Sequence, residues 1–346
     1  MNHDPVVIEQ AEITGWQTIS KGCLIGDTPL RKELLLGHPA LSGAQPIRTP
    51  MAEKMYKELR DSILVGEPGT YFVGERGDGR SAALRICAQV LEHEYPQIAS
   101  YHHASTAMSN SNEKVAMQAM LASVGHGVLS GGPVVLRERL IAKVVDDLRR
   151  RGTGHIALWL VDNAHNMQQA ELQMLADVQE RLWDSGVQLV TAMMTNDDEG
   201  WQRSAHGAAR STFLSRRFFA HAHKLRGVVK PDDVSEILDQ FDTRDFPRGT
   251  DVRWTEFFLP RAYQNGLRLA GEGPALYGAL TQCSAHPDKR PATLDVLFGA
   301  VRGALLNGTH YDRPEFRFTP GSWKQAVSIV QMQNFYVPPR LPGCGP

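Results

Sequence analysis

Residues Gly74–Ser81 read G-E-R-G-D-G-R-S and follow the short apolar run Tyr71-Phe72-Val73. A strand, a turn of the pattern G-x-x-x-x-G-K-[S/T] and a helix, in that order, make a phosphate-binding loop. Gly74, Gly79 and Ser81 fit the pattern, and Arg80 stands where lysine is expected. Ala82-Ala83-Leu84-Arg85-Ile86-Cys87-Ala88 supplies the helix, with good helix formers and one apolar face. Gly77 and Gly79 let the backbone turn its N–H groups inward, and the helix N-terminus adds positive potential. Arg80 keeps lysine's charge but presents a planar fork in place of a compact ammonium. The candidate cofactor contacts are Gly74, Gly77, Asp78, Gly79, Arg80, Ser81 and Ala82, with Ser81 also a candidate Mg²⁺ ligand.

Such a loop needs a carboxylate for Mg²⁺ at the end of a neighbouring strand. Leu158-Trp159-Leu160-Val161-Asp162-Asn163 provides one: an uncharged strand ending in Asp162. The bland alternative is that Asp162 caps the following helix. Asn163 stands where hydrolysing relatives of this motif carry a glutamate. An amide can orient water but cannot accept its proton. A later strand ends in Met194-Thr195-Asn196, placing a polar residue near the same edge. Phe213-Leu214-Ser215-Arg216-Arg217-Phe218 lies at a helix-to-strand junction. Arg216 and Arg217 could reach a neighbouring subunit's phosphate, or they could simply favour the negative end of their own helix.

Around these motifs the chain alternates. Thr70–Val73, Gln97–His103, His155–Val161, Val187–Met194 and Phe218–Leu225 read as strands. Between them Asn112–Val124, Val134–Arg151, Met167–Trp183 and Arg203–Arg217 read as helices, which predicts a parallel sheet with right-handed crossovers. Met51–Ile63 is a helix ahead of the first strand. From Pro231 the pattern turns all-helical, with helices over Asp232–Phe241, Trp254–Asn265, Pro274–Cys283, Ala292–Leu306 and Trp323–Gln333. The expected organisation is an irregular, extended N-terminal arm over 1–50, an α/β nucleotide-binding domain over 51–228, a small helical domain over 229–307, and a C-terminal extension over 308–346.

The bulk numbers exclude several classes. The chain has 346 residues and a formal net charge of −1, so it is not globally basic. No apolar run approaches the ~20 residues of a membrane span, and the first residues lack a signal-peptide pattern. Cys23, Cys87, Cys283 and Cys344 are widely spaced, which reads as reduced thiols in a cytoplasmic protein. His102-His103 and His221-x-His223 are read as strand residues, with metal binding the minor alternative.

Taken together, the loop, Asp162, Asn196, the S-R-R-F segment and the helices that follow resemble an AAA+ ATPase. Within that superfamily the L-V-D-N-A-H, F-L-S-R-R-F and G-E-G-P-A-L-Y-G-A-L segments look most like the TnsC/TniB-type regulators of DNA transposition. The resemblance covers about residues 45–305. It implies a sheet ordered 5-1-4-3-2 with a helical lid, and binding of ATP with Mg²⁺. It also implies assembly into rings or helical filaments on duplex DNA, recruiting a transposase and a target-selection protein of the TniQ type. It gives Asn163, Asn196, Arg216 and Arg217 catalytic positions. Helices between the second and third strands would touch DNA, through Lys114, Arg137, Arg139, Lys143, Arg149, Arg150 and Arg151. A solvated helix face is the alternative there, since Glu138, Asp146 and Asp147 are interleaved. The chain departs from the pattern at Arg80 and Asn163, and no lid arginine stands near Gly271–Leu276. Binding and assembly with weak or absent hydrolysis is the expectation. A stand-alone ATPase of the origin-recognition or secretion-associated type, or a nucleotide-independent scaffold, are the alternatives.

Overall fold

The computed structural model describes residues 20–43, 45–106, 112–152, 154–196, 212–284 and 293–335. The chain divides into two compact units, Pro50–Gly227 and the combination of Met1–Thr49 with Val228–Pro346. Three short helices come first: α1 (Lys21–Ile25), α2 (Pro29–Gly37) and α3 (Pro39–Ser42). They belong to the second unit.

The first unit contains α4 (Pro50–Val65), β1 (Gly69–Gly74), α5 (Arg80–Glu94), β2 (Ala99–Ala104), α6 (Glu113–Ser123) and α7 (Pro133–Arg150). It continues with β3 (Ile156–Asp162), α8 (Gln169–Asp184), β4 (Gln188–Asn196), α9 (Thr212–Phe218) and β5 (Ala222–Lys224). The strands form one parallel sheet in the order β2-β3-β4-β1-β5, the expected order counted from the other edge. Helices cover both faces. Along β3, Leu158 and Leu160 join the core with α4 and α5, while Ala157, Trp159 and Val161 join the core with α6, α7 and α8. An uncharged strand is what such two-sided burial requires. Trp159 is 1% exposed, and truncating it to alanine should cost about 3–5 kcal/mol. Buried Gln179 of α8 pins the far edge: its amide donates to Pro68 O, Leu189 O and Thr191 Oγ1 at 2.8, 3.0 and 2.9 Å. The expected helix from Arg203 is described only from Thr212, as α9; its earlier residues lie outside the described set.

The second unit adds α10 (Pro231–Thr243), α11 (Trp254–Phe258), α12 (Pro260–Gln264), α13 (Gly273–Cys283), α14 (Leu294–Thr309) and α15 (Pro320–Phe335). Two expectations change here. The single helix expected over Trp254–Asn265 is two, because Pro260 lacks an N–H and starts a new helix after Leu259. Of the stretch expected as an irregular arm, the described residues from 20 onward form α1–α3 and pack with the C-terminal helices. Leu24 and Ala40 share a core with Trp254, Phe257 and Trp323. Lys21 pairs with buried Glu256 at 2.8 Å, and Arg31 Nη2 donates to Phe257 O at 2.7 Å and Phe258 O at 3.2 Å. Arg244 Nη1 donates to Pro46 O at 2.8 Å. His38 is fully buried among Phe246, Trp254, Phe257 and Phe258, with ring centroids 4.5–5.6 Å away, and its Nδ1 accepts from Ala40 N at 3.1 Å.

Candidate functional site

The site of the sheet unit sits where β1, β3 and β4 end. Gly74 closes β1, and the loop after it turns through Gly77 (φ 85°) and Gly79 (φ 78°), both left-handed, as the glycines at those positions allow. Gly79 then stands as the N-cap of α5, so the helix begins at Arg80. A side chain at Gly74 would press within 3.3–3.4 Å of Arg80 Cγ and Cδ: the arginine folds back over the end of β1. Asp78 is buried at the loop's crest. Gly227 packs against it so closely that a Cβ there would lie 3.0 Å from the carboxyl carbon.

Arg80 is half-buried. Burial holds its guanidinium below the ordinary value; Arg76 adds to the lowering, and Asp162 and Asp78 oppose it. Its Nη1 is buried with no hydrogen-bond partner among the described residues. A buried N–H of a cation without an acceptor costs free energy. An anionic ligand in the loop would supply the acceptor, so the residue fits the phosphate role.

Ser81 and Asp162, 81 positions apart in sequence, meet directly: Ser81 Oγ donates to Asp162 Oδ2. The other carboxylate oxygen accepts from Asn163 N at 2.9 Å. Hard oxygens from a hydroxyl and a carboxylate, beside a phosphate cradle, are the donor set Mg²⁺ takes when phosphate and water complete its shell. Asn163 has φ 54° and ψ 41°, the one non-glycine residue with positive φ among those described. Asparagine tolerates that conformation better than most side chains. Two residues absent from the sequence reading brace this corner. Ser105 N donates to Asp162 O at 3.0 Å, and Asn166 Nδ2 donates to Ser105 O at 3.1 Å. No motif announces them; only the pairing of Ala104 with Asp162 brings Ser105 there. His102 also faces this corner. Burial lowers its pKa first, Glu92 and Asp162 oppose the shift, and Arg85 adds to it.

Asn196 pairs with Gly74 across β1 and β4, so the polar strand end lies beside the first residue of the loop. Thr195 Oγ1 donates to Asn196 Oδ1 at 3.4 Å, leaving the amide N–H groups for another partner. The two adjacent arginines of α9 diverge. Arg217 turns inward: Nη1 donates to Ala176 O at 2.9 Å, lies 3.5 Å from Glu180 Oε1, and the guanidinium sits 4.5 Å over the Phe213 ring. Arg216 is exposed.

The seven cations, six on α6 and α7 and Arg151 at the α7 C-cap, do not form one patch. Arg137 and Arg150 are separated by about 20 Å of helix. Lys143 is held by Asp147 at 2.5 Å, Arg149 lies 3.8 Å from Asp146, Arg150 3.8 Å from Asp147, and Arg151 3.4 Å from Glu92. Arg151 also donates to Pro96 O, before β2, at the sheet edge opposite the phosphate loop. Lys114, Arg137 and Arg139 have no carboxylate within 4.0 Å among the described residues; Arg139 is tied to Ser130 O. No described helix is long and apolar enough to cross a membrane.

No family model and no curated protein matches the chain. Among solved structures it is similar to Aeropyrum pernix ORC2, seen as ADPNP-ADP complexes, with a TM-score of 0.51 and 13% identity over 82% of this chain and 67% of that one. It is also similar to a chain of Drosophila ORC bound to DNA, with a TM-score of 0.50 and 14% identity over 86% of this chain and 70% of that one. At these identities the likeness is one of fold. A parallel sheet in this strand order, superposing on both ORC chains across more than four-fifths of the sequence, is the AAA+ α/β fold, and this chain has it.

Proposed function

We propose that the protein is an ATP-binding regulator that assembles on duplex DNA and links target selection to a transposase, with weak or absent hydrolysis. The observation that carries the nucleotide part is the buried, unpartnered Arg80 Nη1 beside the Ser81–Asp162 pair. Backbone N–H groups of the loop and the start of α5 would take the phosphates, and Arg80 would balance their charge. Ser81 and Asp162 would hold Mg²⁺, which neutralises phosphate charge when bound. Asn163 can hold a water in place but cannot take its proton, and that limits turnover.

Assembly would fall to Arg216, whose exposure leaves it free to reach a neighbouring copy's phosphates. Such a head-to-tail contact gives rings or open helices. On this reading Lys114, Arg137 and Arg139 supply DNA phosphate contacts from the sheet unit, and a TniQ-type protein and a transposase bind the assembled form. The likeness in fold to the two ORC chains supports a second reading, an origin-recognition type of ATPase. One experiment separates them: sedimentation with duplex DNA, with and without ATP and Mg²⁺, beside steady-state turnover. Assembly requiring both DNA and ATP, with turnover well under about one per second, is expected, and Asn163→Glu should raise that turnover. Fast turnover by the isolated wild-type chain would sink the first reading.

A further inference from the structure

Four arginines of the helical unit gather around one turn. The turn joins α12 to the 3₁₀ segment Leu269–Glu272 and is fastened to residues 312–317 after α14. Asp312 closes one side, its two oxygens accepting from Arg261 N and Ala262 N at 2.9 and 3.0 Å. Asn265 Nδ2 donates to Pro314 O at 2.6 Å, and Arg317 Nη2 returns to Asn265 O at 2.8 Å. Arg268 stacks 3.7 Å over the Tyr263 ring and donates to Tyr263 O at 2.9 Å. Arg313 follows the capping Asp312 directly. All four guanidinium groups belong to exposed residues.

None of Arg261, Arg268, Arg313 and Arg317 has a carboxylate within 4.0 Å among the described residues. Asp312 is spent on the α12 end, and Glu272 accepts the Trp323 indole N–H at 3.0 Å; beyond 4.0 Å, Glu272 still acts on Arg317 and the buried Asp242 on Arg268. That leaves Glu315 as the exposed acid on the 311–317 turn. Where Arg268 and Arg317 are bound, their partners are backbone carbonyls. A carbonyl orders a guanidinium without cancelling its charge, and most of its five N–H donors stay available. An arginine already ordered loses less side-chain entropy when a phosphate arrives.

We infer that this surface, Arg261, Arg268, Arg313 and Arg317, is a contact for the phosphate backbone of duplex DNA, borne by the helical unit and separate from the α6–α7 candidates. The inference builds on the DNA-binding reading proposed above. The ligand class follows from the chemistry. Several exposed cations spread over one turn suit a linear polyanion better than a single phosphate ester, because no one cavity gathers all four: Arg261 lines one depression and Arg317 another.

The test is the salt dependence of binding to a short, fluorescein-labelled duplex of mixed sequence, by anisotropy, with the full chain, ATP and Mg²⁺ present. The variant is Arg261→Gln with Arg313→Gln, because no side-chain hydrogen bond of either is found among the described residues. Arg268 and Arg317, whose carbonyl bonds hold the turn, stay in place. ATP affinity and the melting temperature of the variant should match the wild type. The slope of log K against log salt should become shallower by about two, and affinity at low salt should fall. An unchanged slope in a variant with wild-type ATP affinity overturns the inference and leaves the DNA reading standing. A slope change seen with a single strand but not with the duplex overturns the choice of ligand. If the wild type shows no salt-dependent duplex binding at all, the DNA reading falls and this surface falls with it.

Discussion

The C-terminal end of α7 and the turn after α12 place their cations in different company. Each unit as a whole holds both kinds of contact, with Lys21 paired to Glu256 in the helical unit and Arg217 bound to Ala176 O in the sheet unit. On α7, Lys143, Arg149 and Arg150 lie within 4.0 Å of Asp146 or Asp147, and Arg151 reaches Glu92. In the helical unit, Arg31, Arg244, Arg268 and Arg317 donate to backbone carbonyls. A carboxylate at ~4 Å cancels most of the potential that a cation projects to a phosphate beyond it, whereas a carbonyl leaves it intact. A near-neutral chain can therefore carry a positive face. The difference teaches that counting basic residues along a helix locates charge, not potential. Among the acids of the sheet unit, Asp162 stands at a strand end, bonded to Ser81 of the phosphate loop.

The largest break in this comparison is expected at that carboxylate. Asp162→Ala should weaken Mg²⁺-dependent ATP affinity roughly 10–100-fold, the range of a lost hydrogen bond to a charged group. Affinity measured in excess chelator should hardly move. Equal affinity with and without Mg²⁺ in the wild type would remove Asp162 from the site.

Next come the paired arginines of α9. Arg216→Glu should leave ATP affinity and melting unchanged but abolish ATP-dependent sedimentation on DNA. Arg217→Ala should instead cost about 1 kcal/mol of stability through the lost Ala176 O bond, read as a lower melting temperature. A reversal of the two phenotypes would show that the inward-turned arginine is the one that crosses to a neighbour.

The helical unit answers to acid through His38. Burial pushes its pKa down from 6.5 to about 3. The unfolded chain therefore binds the proton first, and stability is lost as pH falls below about 6.5, by up to ~1.4 kcal/mol per pH unit. The loss should be complete near pH 3. Melting followed from pH 7 to pH 5 should show the decline, and His38→Leu should flatten it. A variant that keeps the wild-type slope would place the acid sensitivity elsewhere.

The smallest effect sharpens the comparison most directly. Arg149→Gln with Arg150→Gln should change the DNA salt slope by less than one, against about two for Arg261→Gln with Arg313→Gln. If the α7 pair gives the larger change, the ion pairs seen there open on binding and the contrast between the two regions is wrong.

Much of the sheet unit was legible because its chemistry is written in contiguous motifs. A loop after an apolar run, an aspartate ending an uncharged strand, and alternating elements point to a parallel sheet with a phosphate loop, while the strand order comes only from the resemblance to AAA+ ATPases. The helical unit was legible only in part. Helices α1–α3 are short and broken by Gly and Pro, and their apolar residues acquire meaning only against Trp254 and Phe257, more than 200 positions later. The break at Pro260 follows from a residue visible in the sequence, a proline with no N–H to donate inside the expected helix. Arg216 and Arg217 are neighbours of the same type, and periodicity alone did not say which would find Ala176 O. Ser105 carries no motif, because strand register rather than sequence brings it to Asp162, and Asn166, four residues after Asp162, gains its role only once Ser105 O is there to accept from it.

The strap formed by residues 20–49 has a consequence for how the protein is made. Arg31 must wait for Phe257, 226 positions downstream, before it has a partner. At ribosomal rates that delay is on the order of tens of seconds. Throughout it the whole sheet unit can emerge and fold, while Leu24, Ala40 and the unfilled place of His38 stay open to water. The nascent chain thus holds a finished α/β body behind an unfinished leading segment, a state that chaperones would recognise and that truncation after Gly227 would make permanent.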